Sequence, residues 1–213
     1  MVSGVSNPTF PGEYPITPQL GFSLLVREKP SAGERTKFKI ARALEELMLS
    51  ESFASISVIA ISEVAGISRQ TFYNHFIDKS DLVGWISDQL DFCTTSRIGI
   101  DMTWEEAVRA KLSFMKSKEP FYCEIYKAEA ADQLIERAVD TVFRYYEQNL
   151  SRIAGIVLSE EARLELRQFC YGSTGIVSEW ARTGMATPVE LVLRAERTAL
   201  PPFAKAVFLG AHS

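Results

Sequence analysis

Residues 57–82 read SVIAISEVAGISRQTFYNHFIDKSDL, and this stretch decides the fold. Ser57 is placed to cap a helix running from Val58 to Ala65, with Val58, Ile61 and Val64 spaced to face inward. Gly66 permits the left-handed backbone that ends a helix and starts a sharp turn, and Ile67 plugs the angle. Ser68 then caps a second helix, Arg69 to Phe76. Phe72 and Phe76 lie one turn apart on it, so Arg69, Gln70, Thr71, Tyr73, Asn74 and His75 occupy the opposite side. Two short helices meeting at a glycine turn form the helix-turn-helix pattern, whose second helix enters the major groove of DNA.

The side chains on that outer side suit base reading. Arginine can bridge guanine O6 and N7, glutamine can bridge adenine N6 and N7, and Thr or Tyr can meet a thymine methyl or a phosphate. No Asp or Glu occurs from Val64 to Ile77, although the chain carries 27 acidic against 23 basic residues. Helix N-termini ordinarily favour carboxylates, so their omission fits phosphates as the anions these ends meet. Lys79, in the first turn of the following helix, opposes the helix dipole; a compensating phosphate would explain it.

The stretch resembles the DNA-binding domain of the tetracycline-repressor (TetR) family of bacterial transcription regulators. The residues that carry the likeness are Ser57-Val58, Ile61, Ala65-Gly66-Ile67-Ser68, Thr71-Phe72-Tyr73, His75-Phe76, Lys79 and Asp81-Leu82, within Thr36 to Trp85. Ile59 and Ser62 depart from the usual pattern, which has a polar residue and Ala there. The resemblance implies a ligand-responsive repressor that binds palindromic double-stranded operator DNA as a homodimer. With the residue chemistry it nominates Ser57, Ser68, Arg69, Gln70, Thr71, Tyr73, Asn74, His75 and Lys79 as the DNA-binding set.

Composition fits a globular protein: 213 residues, 46% hydrophobic and 23% charged. No apolar run reaches transmembrane length and the start lacks a signal-peptide pattern, so no membrane partner and a cytoplasmic location are expected. Cys93, Cys123 and Cys170 lie far apart, and with His75 and His212 as the only histidines neither a metal nor a cofactor is expected. The net charge of -4 leaves DNA attraction to a local basic cluster of Arg27, Lys29, Arg35, Lys37, Lys39 and Arg42. Residues 1–33, rich in proline, read as a flexible or extended arm. Residues 34–97 form the helix-turn-helix domain with its linking helix, and residues 98–213 an effector-binding and dimerisation domain.

The remaining chain reads as helices throughout. A bracing helix spans Thr36 to Ser50, and a helix capped by Asp78 and Asp81 continues through Leu82, Ile86, Leu90 and Cys93 toward Arg97. Thr103 to Glu106 is a capping box; Pro120 closes the helix it opens. Further helices cover Phe121 to Ala130, Ala131 to Arg152, Ser159 to Arg182, and a last one from Thr187 interrupted at Pro201-Pro202. The fold class is all-α, with about nine helices and no strand.

From Glu160 to Arg182, Ala162, Leu166, Phe169, Ser173, Ile176 and Trp180 recur at four- and three-residue steps, the seam of a helix packed along another. Gly172 and Gly175 in mid-helix call for close approach of a neighbour. The run FCYGSTGIVSEWARTGMATPVEL is similar to the C-terminal domain of TetR-like regulators of the DhaS type. That likeness implies a four-helix dimer bundle, for which Leu166, Phe169, Gly172, Ser173, Ile176, Trp180 and Val192 are nominated. It also implies an unknown small-molecule effector, with Trp104, Met115, Phe121, Tyr122, Tyr126, Phe143 and Tyr146 as candidate pocket walls. An enzyme is one rival class, but the chain has no phosphate loop, nucleophile elbow or metal cluster, and its paired glutamates sit in first helical turns. The more serious rival is a regulator that works by binding another protein and has weak DNA affinity; against it, Arg69 and Gln70 argue for base reading. Catalytic residues: none.

Overall fold

A computed structural model describes residues 31–128 and 131–210. The proline-rich arm up to residue 30, with Arg27 and Lys29 of the basic cluster, lies outside the described residues, as does His212. The described residues form ten α-helices and no strand, only one isolated bridge between Ile98 and Met102. None of these helices is long and apolar enough to cross a membrane. The helices are α1 (Ala32–Leu47), α2 (Val58–Val64), α3 (Arg69–Tyr73), α4 (Lys79–Cys93), α5 (Trp104–Ser117), α6 (Glu119–Lys127), α7 (Ala131–Ala154), α8 (Glu160–Arg182), α9 (Val189–Ala199) and α10 (Pro202–Leu209).

Helix starts follow their side-chain caps. Ser57 accepts from the Ala60 N–H at 3.1 Å, Ser68 from Thr71 at 3.0 Å, and Asp78 from Asp81 at 2.8 Å. Thr103 and Glu106 close the expected capping box. Of the boundaries that differ from the sequence reading, two have a clear local cause. α1 begins at Ala32, four residues before Thr36, because Ser31 and Glu34 form a reciprocal capping box that takes the supposed end of the arm into the helix. α4 stops at Cys93 instead of reaching Arg97, and a 3-10 turn follows over Thr95–Arg97. There the Thr94 hydroxyl bonds back to the Leu90 carbonyl at 2.7 Å, the kind of local bond that competes with helix propagation. The Pro201-Pro202 pair separates α9 from α10, which raises the count above nine.

α1 to α3 and the first half of α4 make a small head. Its core joins Ile40, Leu44, Ile56, Ile61 and Leu82, all at most 2% exposed, to Phe72 at 0% and Phe76 at 3%. Phe38 meets the Trp85 ring edge-on at 4.9 Å and Phe76 meets it at 5.7 Å, so two aromatic pairs clamp α1 and the end of the motif to α4. Val64, expected inside, is 43% exposed; Val58 is packed against the core as expected. Ser62, one of the two unusual motif residues, is buried, and its hydroxyl donates to the Val58 carbonyl at 2.7 Å. The polar atom is thus satisfied within its own helix, and the other unusual residue, Ile59, faces outward.

The body packs α8 on α6 and α7, and α9 on α5. Three polar ties join head to body. Lys118 of α5's end pairs with Glu45 of α1. The Phe53 N–H donates to Glu124 Oε1 of α6 at 3.1 Å. Arg137 of α7 donates to Asp81 Oδ1 at 2.8 Å and to Asp88 Oδ2 at 2.7 Å, both on α4. Ser31→Ala removes the α1 capping box and is expected to cost about 0.5–2 kcal/mol of stability by chemical denaturation; a midpoint equal to that of the unaltered chain would show that α1 does not depend on its cap.

Candidate nucleic-acid interface and internal cavity

The turn between α2 and α3 is made as the sequence requires. Gly66 takes φ +57, and the Ile67 N–H donates to the Ser62 carbonyl at 3.0 Å. α3 is only five residues long, ending at Asn74 as C-cap instead of running to Phe76. Phe76 nevertheless reaches the core through the turn that follows. The outward side is as expected. Arg69, Gln70, Tyr73 and Asn74 are exposed, and Thr71 and His75 half-buried.

These side chains hold one another in place. The Arg69 guanidinium lies 5.9 Å from the centre of the Tyr73 ring, Gln70 Nε2 donates to Asn74 Oδ1 at 3.1 Å, and the Ser68 and Thr71 hydroxyls are 2.9 Å apart. Ser57 and Ser68 are both exposed and both spend an oxygen lone pair on their caps. α1 approaches the same surface. A Cβ built on Gly66 would lie 3.6 Å from Lys39 Nζ, and one built on Gly33 would lie 3.7 Å from His75. Lys39 and Arg42 are exposed, whereas Lys37 sits over the Phe76 and Trp85 rings at 5.3 and 5.7 Å. The result is a protruding short helix carrying a cation and amide groups, with further cations beside its turn and no carboxylate from Val64 to Ile77.

Lys79 departs from its expected role. Its ammonium donates to the carbonyls of Phe53 at 2.6 Å, Ala54 at 3.0 Å and Ile56 at 2.8 Å, and lies 4.7 Å from the centre of the Phe53 ring. A lysine ammonium has three hydrogens, and three carbonyls take them. Burial holds its pKa below the usual lysine value. Lys79 therefore ties the α1–α2 loop to the start of α4 and has no hydrogen left for a phosphate. Its odd place at a helix N-terminus is explained by the carbonyl-rich loop opposite, which the sequence does not reveal.

In the body, all seven nominated pocket residues are buried, but they do not share one wall. A cavity of about 30 Å³ is lined by Met115, Tyr122 and Tyr126 together with Lys111, Ser173 and Thr174. Trp104 and Tyr146 instead bond to each other, indole N–H to hydroxyl at 3.0 Å, away from the cavity. Phe143 lies under the guanidinium groups of Arg163 and Arg167, and Phe121 packs edge-on against Tyr122 at 5.2 Å without reaching the space. These four are core residues, as aromatic side chains at helical spacing commonly are.

Of the cavity's polar groups, Tyr122 and Tyr126 were expected as walls, whereas Ser87, Lys111 and Thr174 were not, and Lys111 leads to buried carboxyl groups beyond the lining. Lys111 donates to Asp91 Oδ1 at 2.6 Å, and Thr95 donates to the same oxygen at 2.8 Å. Asp91 Oδ2 and the Tyr122 hydroxyl are buried without a hydrogen-bond partner. So is Glu196 Oε1, and burial raises that carboxyl's pKa. The available signal was Asp91 itself, a carboxylate four residues after Ser87 and seven after Gly84 on one side of α4.

The nominated dimer seam divides. Leu166, Phe169, Trp180 and Val192, each at most 5% exposed, are used inside the protomer and are corrected to core residues. Ser173 is half-buried at the cavity. Gly172 and Ile176 lie on an open face of α8 with Leu164, Tyr171 and Gly175, continued by Leu191 on α9. The four large members of that face are 42–67% exposed, and a Cβ on either glycine would meet nothing within 4 Å. The seam's period is right for a helix pairing, but α8 is apolar on two sides, and period alone does not say which side stays at home.

Comparison with known proteins covers both halves. The family described as "Bacterial regulatory proteins, tetR family" matches residues 40–84, and the one described as "Transcriptional regulator C-terminal region" matches residues 102–198. The HTH-type dhaKLM operon transcriptional activator DhaS of Lactococcus lactis subsp. lactis (strain IL1403) is 34% identical over 88 residues, 41% of this chain. The match spans 46% of that protein's length. Among solved structures, the dihydroxyacetone kinase operon activator DhaS aligns with a TM-score of 0.56 and 20% identity over 76% of this chain and 92% of its own. The TetR family repressor AlkX from Dietzia sp. strain DQ12-45-1b, implicated in biodegradation of n-alkanes, aligns at 0.53 and 19% over 80% and 98%. At those identities the two structures speak for the fold.

Lys79→Met should lower thermal stability by about 1–3 kcal/mol, because three carbonyls lose their donor. Its nucleic-acid binding should keep the same salt slope; a slope reduced by about one unit would return Lys79 to a phosphate.

Proposed function

This chain belongs to the tetR family of bacterial regulatory proteins, and from that premise we propose that it regulates transcription as a homodimer reading palindromic double-stranded DNA with α3. Members of this family bind DNA and are not enzymes. The observation that carries the proposal is the outward set on α3: Arg69 held over Tyr73 and Gln70 paired with Asn74, on a segment with no carboxylate. Arginine and glutamine are the side chains that make two-point contacts to guanine and adenine. Lys39 and Arg42 supply the neighbouring phosphate attraction.

The dimer follows from a surface and a need. The surface is the open face of α8 and α9, where Leu164, Tyr171, Ile176 and Leu191 present apolar side chains around Gly172 and Gly175. Glycines there let a second helix approach closely, which repays their helix-propensity cost. The need is geometric: a five-residue helix reads few bases, and two copies one DNA turn apart read a site long enough to be specific.

The cavity beside Lys111 is the proposed effector site. At about 30 Å³ it holds no more than a water or two as it stands, so an effector would have to widen it, and its occupant would satisfy the unpartnered Tyr122 hydroxyl. To act, that molecule must bind one half-site spacing better than the other. α4 joins cavity to head, since Ser87 and Leu90 line the space while Asp81, in its first turn, accepts from the Ile77 N–H in the turn after α3. One protein of this fold is named an activator and another a repressor, so the fold by itself carries no sign of regulation. A cytoplasmic location follows from the DNA target.

Arg69→Ala and Gln70→Ala should each cost about 1–3 kcal/mol per half-site and relax preference at one base position, measured by selection from a random DNA pool. A pool that yields no twofold-symmetric site removes the palindrome. Ile176→Glu should convert the dimer to monomer in sedimentation equilibrium and weaken operator binding by about a hundredfold or more. A variant that stays dimeric moves the interface elsewhere.

A further inference from the structure

Between head and body lies a second space, larger than the internal cavity and separate from it. This cleft of about 270 Å³ is walled by Phe53, Val83, Ile125 and Leu134. Asp78, Asp81 and Arg137 stand on its rim, and Ile77, 82% exposed, overhangs it. None of the nominated pocket residues lines it.

Charge says what would enter. Arg137 is answered twice, by Asp81 at 2.8 Å on the rim and by Asp88 at 2.7 Å beyond it, and Asp78 adds a second carboxylate to the rim. Glu124, behind the wall, is bonded to the Phe53 N–H, while the neighbouring cation, Lys79, faces the carbonyls of the α1–α2 loop. On the rim itself two carboxylates, Asp78 and Asp81, thus face the single guanidinium of Arg137, which Asp88 also shares. The N-terminal dipole of α4, about half a charge, is more than cancelled by Asp78 and Asp81. Apolar walls with a net negative rim complement a positively charged, partly apolar molecule and repel an anion.

The rim also bears on the head. Asp81 Oδ2 accepts from the Ile77 N–H at 3.1 Å, one residue beyond Phe76, while Oδ1 takes Arg137. α4 is bare where the guanidinium crosses it, since a Cβ on Gly84 would come within 2.7 Å of Arg137 Nη1. We propose that this cleft is a regulatory site for an organic cation bearing an apolar group, and that its occupant competes with Arg137 for Asp81. The apolar group lies on Phe53, Ile125 and Leu134. The charged head takes the Asp78–Asp81 rim and loosens the tie that holds the turn after α3 to α7.

Calorimetric titration of the full chain with benzyltrimethylammonium, without DNA, tests the site. Benzyl alcohol should bind at least about tenfold more weakly, and benzenesulfonate should not bind. Asp78→Asn keeps the α4 cap, because Asn caps as well as Asp, and should weaken the cation by about two- to fivefold. Arg137→Gln removes the competitor and should tighten it by a similar factor. Ala128→Trp fills the cleft and should abolish binding with helicity intact by circular dichroism. Equal affinity for the alcohol, unchanged or weaker binding to Arg137→Gln, or full binding to a folded Ala128→Trp each overturns the site. With DNA present, the cation should weaken operator binding by the unaltered chain and leave Arg137→Gln indifferent; equal effects on both overturn the competition. A chain that binds the cation but no DNA refutes the transcriptional reading alone.

Discussion

A helix of five residues has no stability of its own, so the outward surface of α3 depends on how Phe72 is held. Phe72 is fully buried, and Phe76 follows it into the same core although it lies beyond the helix. Burying each is worth about 1.5–3 kcal/mol. Trp85 and Phe38 complete the grip through edge-to-face contacts. With the inner side fixed, the opposite side is held outward, and on it Arg69 leans on Tyr73 and Gln70 on Asn74, each pair one helical turn apart. The motif's polar side is therefore preorganised by an apolar lock beneath it.

The same division of labour runs through the body, with a polar exception at its heart. Asp91, which is buried, and Lys111, whose side chain is 21% exposed, form a partly buried ion pair in which one carboxylate oxygen stays unsatisfied. Such a pair is weak as a stabiliser, since desolvation offsets most of the attraction. Its placement beside a small cavity, with the unpartnered Tyr122 hydroxyl on the wall, makes sense for recognition. Head and body meet through α4 and through polar ties from Glu45, Phe53, Asp81 and Asp88 to the body. Polar ties of this kind exchange partners at lower cost than a close-packed apolar seam resists sliding, which suits a joint whose angle is to be adjusted.

Two readings of charge and pattern were overturned for reasons of three-dimensional supply. Lys79 looks anomalous against the helix dipole, and a phosphate would remedy that. The loop from Phe53 to Ile56 supplies the remedy instead, with carbonyls that lie more than 20 residues away in sequence. On α8 the four-three rhythm of Leu166, Phe169, Ile176 and Trp180 mixes two faces, one spent on α6 and α7 and one left open. Four of the aromatic pocket candidates filled the core for a similar cause: spacing shows that a side chain points inward, and only packing shows whether anything is left empty beside it.

What the sequence by itself determined is local. The caps at Ser57, Ser68, Asp78, Thr103 and Ser159, the left-handed turn at Gly66 and the outward set on α3 are each written within four residues, the reach of a hydrogen bond along a helix. The all-helical class and the family motif followed from them. Only the tertiary structure decided where Lys79 spends its charge, which face of α8 remains open, and that Asp91 meets Lys111 beside a cavity. It alone placed Arg137 across Gly84. Those outcomes depend on which distant segment reaches a given side chain first, and a one-dimensional pattern does not carry that distance.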